Sequence, residues 1–196
     1  LSVGFSQYNY VLDPDGNAID DLLIYRRAAD RYMMVVNASN AEKVRDWLFA
    51  VNSREVLIDR DHPGRRIEQP IVVRDLKDPK HGGMCRVDLA LQGPRALDVL
   101  LALAKDEATR ATLQGIRRSG LTELSLLGLP LIVSRTGYTG EEMGFEVFVH
   151  PQEAPKLWAA LLEAGKQHGI KACGLGARDS LRTEAGFPLF GHELGV

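Results

Sequence analysis

Ser134-Arg135-Thr136-Gly137-Tyr138-Thr139-Gly140-Glu141-Glu142-Met143-Gly144-Phe145-Glu146-Val147-Phe148 is the stretch whose reading decides the fold. It opens at the end of an apolar run, Leu131-Ile132-Val133, and closes into another, Phe145 to Val149. Three glycines between them let the backbone turn sharply or approach a ligand closely. The pattern predicts two strands joined by a Gly-rich connection. Tyr138 and Glu146 stand at its two ends. A flat, partly polar heterocycle needs such a pairing, a ring to stack on and an acceptor for its N–H groups. On these residues alone two readings stay open: a ligand site, or a hairpin carrying ordinary surface groups.

Working outward, Thr122–Leu127 and Leu129–Ser134 read as strands flanking Gly128. Upstream, Arg86–Gln92 alternates as a strand and runs into Gly93-Pro94, with Pro94 suited to a first helical position. Leu97, Leu100, Leu101 and Ala104 then share a helical face, and Asp106 is placed to cap a second short helix ending near Gly115. Downstream, residues 151–165 predict a helix with Leu157, Trp158, Leu161 and Leu162 as its stripe. Asp179 or Ser180 is placed to begin a short helix that Gly186-Phe187-Pro188 ends.

The N-terminal third reads as a strand from Ser2 to Leu12, a turn at Asp13-Pro14-Asp15-Gly16-Asn17, and a hairpin over residues 18–37. Ser39 and Glu42 match the S-x-x-E capping box, with Val44, Trp47, Leu48 and Val51 on one face of the helix that follows. From Asn52 to Gly83 the signal weakens: Val56-Leu57-Ile58 and Ile71-Val72-Val73 are short strand candidates around a charged loop. Antiparallel strands with helices between them, lacking a regular βαβ rhythm, predict an α+β fold. One domain over 1–196 is the simplest organisation, with two subdomains meeting near 115–121 as the alternative.

A chain of 196 residues can bury a substantial core. A net charge of −2 makes no electrostatic case for nucleic acid or an anionic membrane. No apolar run is long enough to span a bilayer, and no signal peptide is visible. Cys85 and Cys173 lack CxxC or Cys/His spacing, so no metal site is expected and a reducing cytoplasm is the natural compartment. Both thiols read as small buried apolar groups. The chain starts at Leu1 without Met and stops just after Gly191-His192-Glu193-Leu194, which reads as a piece of a longer protein.

Chemistry concentrates in three places. Asp20-Asp21 sits inside an apolar strand, and alternation puts the two acids on opposite faces, so one must face inward. A buried carboxylate costs several kcal/mol unless paired. Arg178, after Gly174-Leu175-Gly176-Ala177, either pairs with Asp179 or offers its planar fork to a ligand carboxylate. Tyr138 and Glu146 form the third. His81, His150 and His168 lack ligand-like neighbours and read as surface groups.

Taken together these segments resemble the aminomethyltransferase, or T protein, family of the glycine cleavage system and its folate-binding relatives. The resemblance rests on Tyr8 followed by Gly16-Asn17-Ala18-Ile19-Asp20-Asp21-Leu22, on Val35-Val36-Asn37-Ala38-Ser39-Asn40, on Leu91-Gln92-Gly93-Pro94, and on Arg135 to Glu141. Gly174 to Gly186 and Gly191-His192-Glu193-Leu194 complete it, in family order over nearly the whole chain. It implies a folate-binding core without the family's N-terminal segment and C-terminal β-barrel. It further implies a catalytic role for Asp21 and a tetrahydrofolate pocket on Tyr8, Asn37, Tyr138, Glu146 and Arg178. The lipoylated H protein would be the partner and an aminomethyl group the donor.

Three departures stand out: an extra residue in Glu141-Glu142-Met143-Gly144, Gly16-Asn17 in place of Gly-Gly, and a longer stretch from about Asp59 to Met84. The first bears on where Glu146 stands. Two rival functions share the resemblance: a folate-dependent demethylase, and a non-enzymatic folate-binding accessory protein. Asp21 and the Arg135–Gly140 stretch argue against the accessory role.

Overall fold

Strands form where alternation and turn chemistry agree. A computed structural model describes residues 1–194, which are α+β with antiparallel sheets, as expected. The chain divides into two units: Leu1, Ser6–Asp75 and Pro188–Val196 form the first, and Ser2–Phe5 with Leu76–Phe187 the second. The 115–121 stretch lies inside the second unit.

The first unit carries a three-stranded sheet in the order β1 (Phe5–Leu12), β2 (Ala18–Ala28), β3 (Arg31–Val36). The turn between β1 and β2 is tied by Asp13, whose carboxylate accepts from the Asp15 and Asn17 backbone and from the Asn17 amide, each at 2.9 Å. Those bonds, the Asn17 side chain first, hold the Asp13 carboxyl below its usual range. β2 and β3 pair antiparallel from Leu22↔Val36 to Ala28↔Arg31, with a bulge between Arg26 and Ala28. The helix α1 (Ala41–Ser53) packs against β2, burying Val44 in a core that includes Ile19, Leu22, Tyr25 and Met33.

Two local expectations fail in this unit. The capping box does not form: Ser39 lies inside a 3-10 turn over Ala38–Asn40, and Asn40 precedes α1 without a side-chain cap. The Asn40 amide is committed elsewhere, to Asp20. Neither Val56–Ile58 nor Ile71–Val73 forms a strand, and Ile71 and Val72 are 70% and 72% exposed. Apolar residues without a partner strand or a core to face do not make a ladder.

In the second unit β4 (Val87–Leu91), β5 (Leu121–Leu126), β6 (Leu129–Ser134) and β7 (Phe145–Val149) build an antiparallel sheet in the order β4-β7-β6-β5. β5 and β6 are joined through Leu127 and Gly128, both at positive φ (57° and 77°), the conformation that glycine relieves at tight hairpins. The helices α2 (Ala96–Leu103), α3 (Glu107–Gln114) and α4 (Ala154–Gly165) bury Val99, Leu100, Leu113, Leu157 and Leu161 with Leu91, Leu131, Val133, Phe145, Val147 and Val149 of the sheet. The last helix, α5, covers Leu175–Glu184.

Asp106 caps α3 as read from the sequence, accepting from the Thr109 N–H at 2.8 Å. Other edges shift. α2 begins two residues after Pro94, and α5 begins at Leu175, so the Gly174-to-Ala177 segment is its first turn. Trp158 is 40% exposed although it shares the α4 stripe, and Cys173 is exposed while Cys85 is buried. No described helix is long and apolar enough to cross a membrane.

Leu100 is fully buried in the second unit's core. Leu100→Ala is expected to destabilise that unit by about 2–5 kcal/mol, because the cavity cannot collapse in a close-packed layer. Denaturant unfolding measures this, and a loss below about 1 kcal/mol would contradict the packing described.

Candidate functional site

The candidate side chains gather in two clusters, one in each unit. The first is built on β2, where alternation separates the two acids yet leaves neither of them in solvent. Asp20 is 0% exposed and Asp21 is 8% exposed, so both carboxylates are buried. Both bind the same side chain. The Asn37 amide donates to Asp20 Oδ1 at 2.9 Å and to Asp21 Oδ1 at 2.8 Å, and also contacts the Asp21 carbonyl at 3.1 Å.

The register explains how one amide serves two acids on successive positions. The β2–β3 ladder ends at Leu22↔Val36, so Asn37 stands just beyond it, level with Asp21. Free of the ladder, its side chain reaches round the end of β3 to both faces of β2. Asp20 receives two further bonds, from the Asn37 backbone N–H at 3.1 Å and from the Asn40 amide at 2.7 Å. A carboxylate so enclosed is offset by three neutral donor groups rather than by a cation.

Asp21 is held differently. Its Oδ2 accepts from the Tyr8 phenol at 2.9 Å, and the Tyr10 hydroxyl lies 3.4 Å from that phenol. Dehydration of the phenol, then its contacts with Tyr10 and Asp21, pushes the Tyr8 hydroxyl above its ordinary range. Tyr8 therefore stays a hydrogen-bond donor to Asp21. Asp20 is sealed by amides, whereas Asp21 is bridged to a partly exposed tyrosine, so Asp21 is the more accessible of the pair.

The second cluster gathers around the Gly-rich connection between β6 and β7. Glu146 is in register with Ala90 on β4 and Ser134 on β6. Its carboxylate accepts from the Thr136 hydroxyl, which lies 3.0 Å from the hydroxyl of buried Ser134. Tyr138 lies against two partners: the Arg178 guanidinium sits 4.5 Å from its ring centroid, and the Phe187 ring 5.8 Å away at 32°. The expected alternative for Arg178, a pair with Asp179, does not form. Asp179 binds Arg182 instead, at 2.7 and 2.8 Å. The Arg178 fork thus lies over an aromatic face, exposed on the first turn of α5.

One residue in this cluster escaped functional reading although its motif was noticed. Gln92, at the end of β4, donates to the carbonyls of Thr136 and Phe145 at 3.2 Å each, and accepts from Thr139 at 2.9 Å. It ties both ends and the middle of the connection together. Its side chain occupies the space that a Cβ on Gly137 or Gly144 would need, 2.1 Å from its Oε1 in each case. A Cβ at either glycine would therefore push the Gln92 side chain out of these bonds, and Gly140 is favoured by its φ of +76°. The signal lay in the sequence as a polar residue ending an apolar strand just before Gly93-Pro94.

Comparison with known proteins bears on the chain as a whole. The family model described as the GCVT N-terminal domain matches residues 1–196. Aminomethyltransferases of Bacillus cereus and Bacillus anthracis are each 39% identical over 194 residues, covering 99% of this chain and 46% of theirs. The crystal structure of glycine cleavage system aminomethyltransferase T from Bartonella henselae superposes with a TM-score of 0.71 at 31% identity, covering 99% of this chain and 44% of that one. The chain thus spans about half the length of the relatives it matches.

The buried acids make a ranked stability prediction. Asn37→Ala strips donors from both carboxylates at once and is expected to cost more than the roughly 1–3 kcal/mol of a single unsatisfied buried group. Asn40→Ala removes one donor from Asp20 and is expected to cost less. Chemical denaturation of the two variants checks the order, and equal losses would show that Asn37 does not couple the two acids.

Proposed function

This chain belongs to the family of the GCVT N-terminal domain, and from that premise we propose that it is the folate-binding part of a tetrahydrofolate-dependent aminomethyltransferase of the glycine cleavage system. The observation that carries the reading is the grouping of the Tyr138 ring, the Arg178 guanidinium and the Glu146 carboxylate around one connection. Folate has a donor-rich heterocycle and a tail of carboxylates. Glu146 suits the first as an acceptor, Tyr138 offers an aromatic face, and Arg178 suits the second. The Arg178–Tyr138 stack holds the fork in place before a ligand arrives, which reduces the ordering cost of binding.

In the reaction proposed, N5 of tetrahydrofolate attacks the methylene carbon of an aminomethyl group on the lipoyl arm of the H protein, releasing ammonia. Asp21 orients the reacting folate nitrogens. Tyr8 and Asn37 keep its carboxylate in one orientation, each through one oxygen, and share in holding folate. Much of the rate comes from holding two large substrates in line. The partner is the lipoylated H protein, and the setting is a reducing cytoplasm.

Two substitutions test the assignment. Arg178→Ala is expected to weaken tetrahydrofolate binding by roughly 1.5–3 kcal/mol, the worth of a hydrogen bond to a charged group. Calorimetry decides it, and an unchanged affinity would remove Arg178 from the tail site. Asp21→Asn keeps the shape and removes the charge. Methylenetetrahydrofolate formation from aminomethylated H protein should fall about 10²-fold or more while folding persists. Near-normal turnover, with the loss appearing in Asp20→Asn instead, would reverse the two acids.

A further inference from the structure

The second unit's sheet has one face against the helices and one face turned away from them. Strand register assigns each side chain. Leu91, Phe145, Val147 and Val149 face the helical core, so Asp88, Ala90, Glu146 and Phe148 occupy the opposite face. Asp88 stands opposite Phe148, and Glu146 stands opposite Ala90. The two carboxylates are therefore diagonal neighbours across one antiparallel pair, a relation in which long side chains reach one another.

Asp88 is unusual in this setting. It interrupts the apolar run of β4, it is exposed, and among the described residues no hydrogen bond or ion pair reaches its carboxylate. The charged groups bearing on it are Glu146 on β7, Lys77 in the segment before β4, and Arg178 on α5. Two acids and two cations thus meet on this face, with Arg178 lying against the Tyr138 ring.

We propose that Asp88 is a specificity-determining residue, its carboxylate accepting an N–H donor of the same heterocycle that Glu146 receives. The inference rests on the folate reading above and extends it to a residue outside the set assigned there. Two acceptors at fixed separation select a ring with donors on adjacent positions, and discriminate against analogues in which one donor is lost or replaced by an acceptor.

A consequence follows for protons. Crowding by surrounding protein, then the Glu146 carboxylate, pushes the Asp88 carboxyl up to about 8, against the opposing pull of Lys77 and Arg178. Its exposure lets water screen part of that push. In the free protein a fraction of Asp88 therefore keeps its proton at neutral pH. An N–H donor favours the ionised form, so binding lowers the carboxyl's affinity for its proton, which leaves to the buffer. Affinity should rise with pH up to about 8 and level off above it.

The experiment is anaerobic calorimetry of tetrahydrofolate binding between pH 6.5 and 9, repeated in two buffers of different ionisation enthalpy. Binding should be tighter at pH 9 than at pH 7, by at most about tenfold, the limit set by a carboxyl at about 8. A measurable fraction of a proton, at most about one, should be released per ligand bound at pH 7. Asp88→Asn, with folding verified by circular dichroism, should flatten the pH dependence and abolish the release. A wild-type affinity that is flat in pH, without proton release, overturns the assignment with no variant needed. Proton uptake would overturn it equally, because Asp88 would then be donating. A protein that binds no tetrahydrofolate at any pH overturns the folate reading and this assignment with it.

Discussion

A single side-chain amide governs the first unit's chemistry. Asn37 stands one residue past the end of a β ladder and donates to two consecutive buried carboxylates. Without it, both buried acids would lose a donor, at a cost that is a large fraction of a marginally stable fold's margin. With it, the first acid becomes an anchor and the second is left with one oxygen turned to a tyrosine. The local structure bends to this demand. The amides of both Asn37 and Asn40 turn inward, a 3-10 turn forms between them, and the helix that follows begins without a side-chain cap. A capping contact has given way to the solvation of a buried charge.

The second unit meets a comparable demand through Gln92. A connection of three glycines is entropically costly to order, and each glycine adds to that cost. Gln92 ties it at three points, and its side chain passes where the Cβ atoms of two of the glycines would be. The tied connection then presents Tyr138 to Arg178 and lets Thr136 meet Glu146. In both units a polar amide beside a strand end converts a strand terminus into a site. The apolar core on the helical side supplies the rigid support that such sites require.

Much of this was legible from residue types and periods. The hairpins, the α3 cap at Asp106 and the apolar faces of α2 and α4 follow from local rules, and local contacts enforce them. What escaped was decided by partners distant in sequence. The capping box at Ser39 is sound locally but loses to a carboxylate nineteen or more positions upstream, as the Asp20–Asn40 bond shows. Alternation on β2 is geometrically right, yet it does not predict that an amide can reach round a strand end to both faces. The sequence leaves Arg178 with two possible partners, and its release from Asp179 depends on Arg182 taking that carboxylate. Ile71–Val73 has strand propensity but no edge to join. The family resemblance identified the clusters' members; the bonds that hold them came only with the fold.

The account's central claim is that the connection between β6 and β7, with α5, receives a reduced folate. Amide NMR of the isotopically labelled protein titrated with tetrahydrofolate tests it most directly, since each backbone N–H reports its own surroundings. Saturable shifts should appear at residues 136–146 and in the first turn of α5 around Arg178, with the helical core of α2 and α4 unmoved. Saturable shifts that spare residues 136–146 and Arg178 and concentrate elsewhere, or no shifts at all, would contradict it.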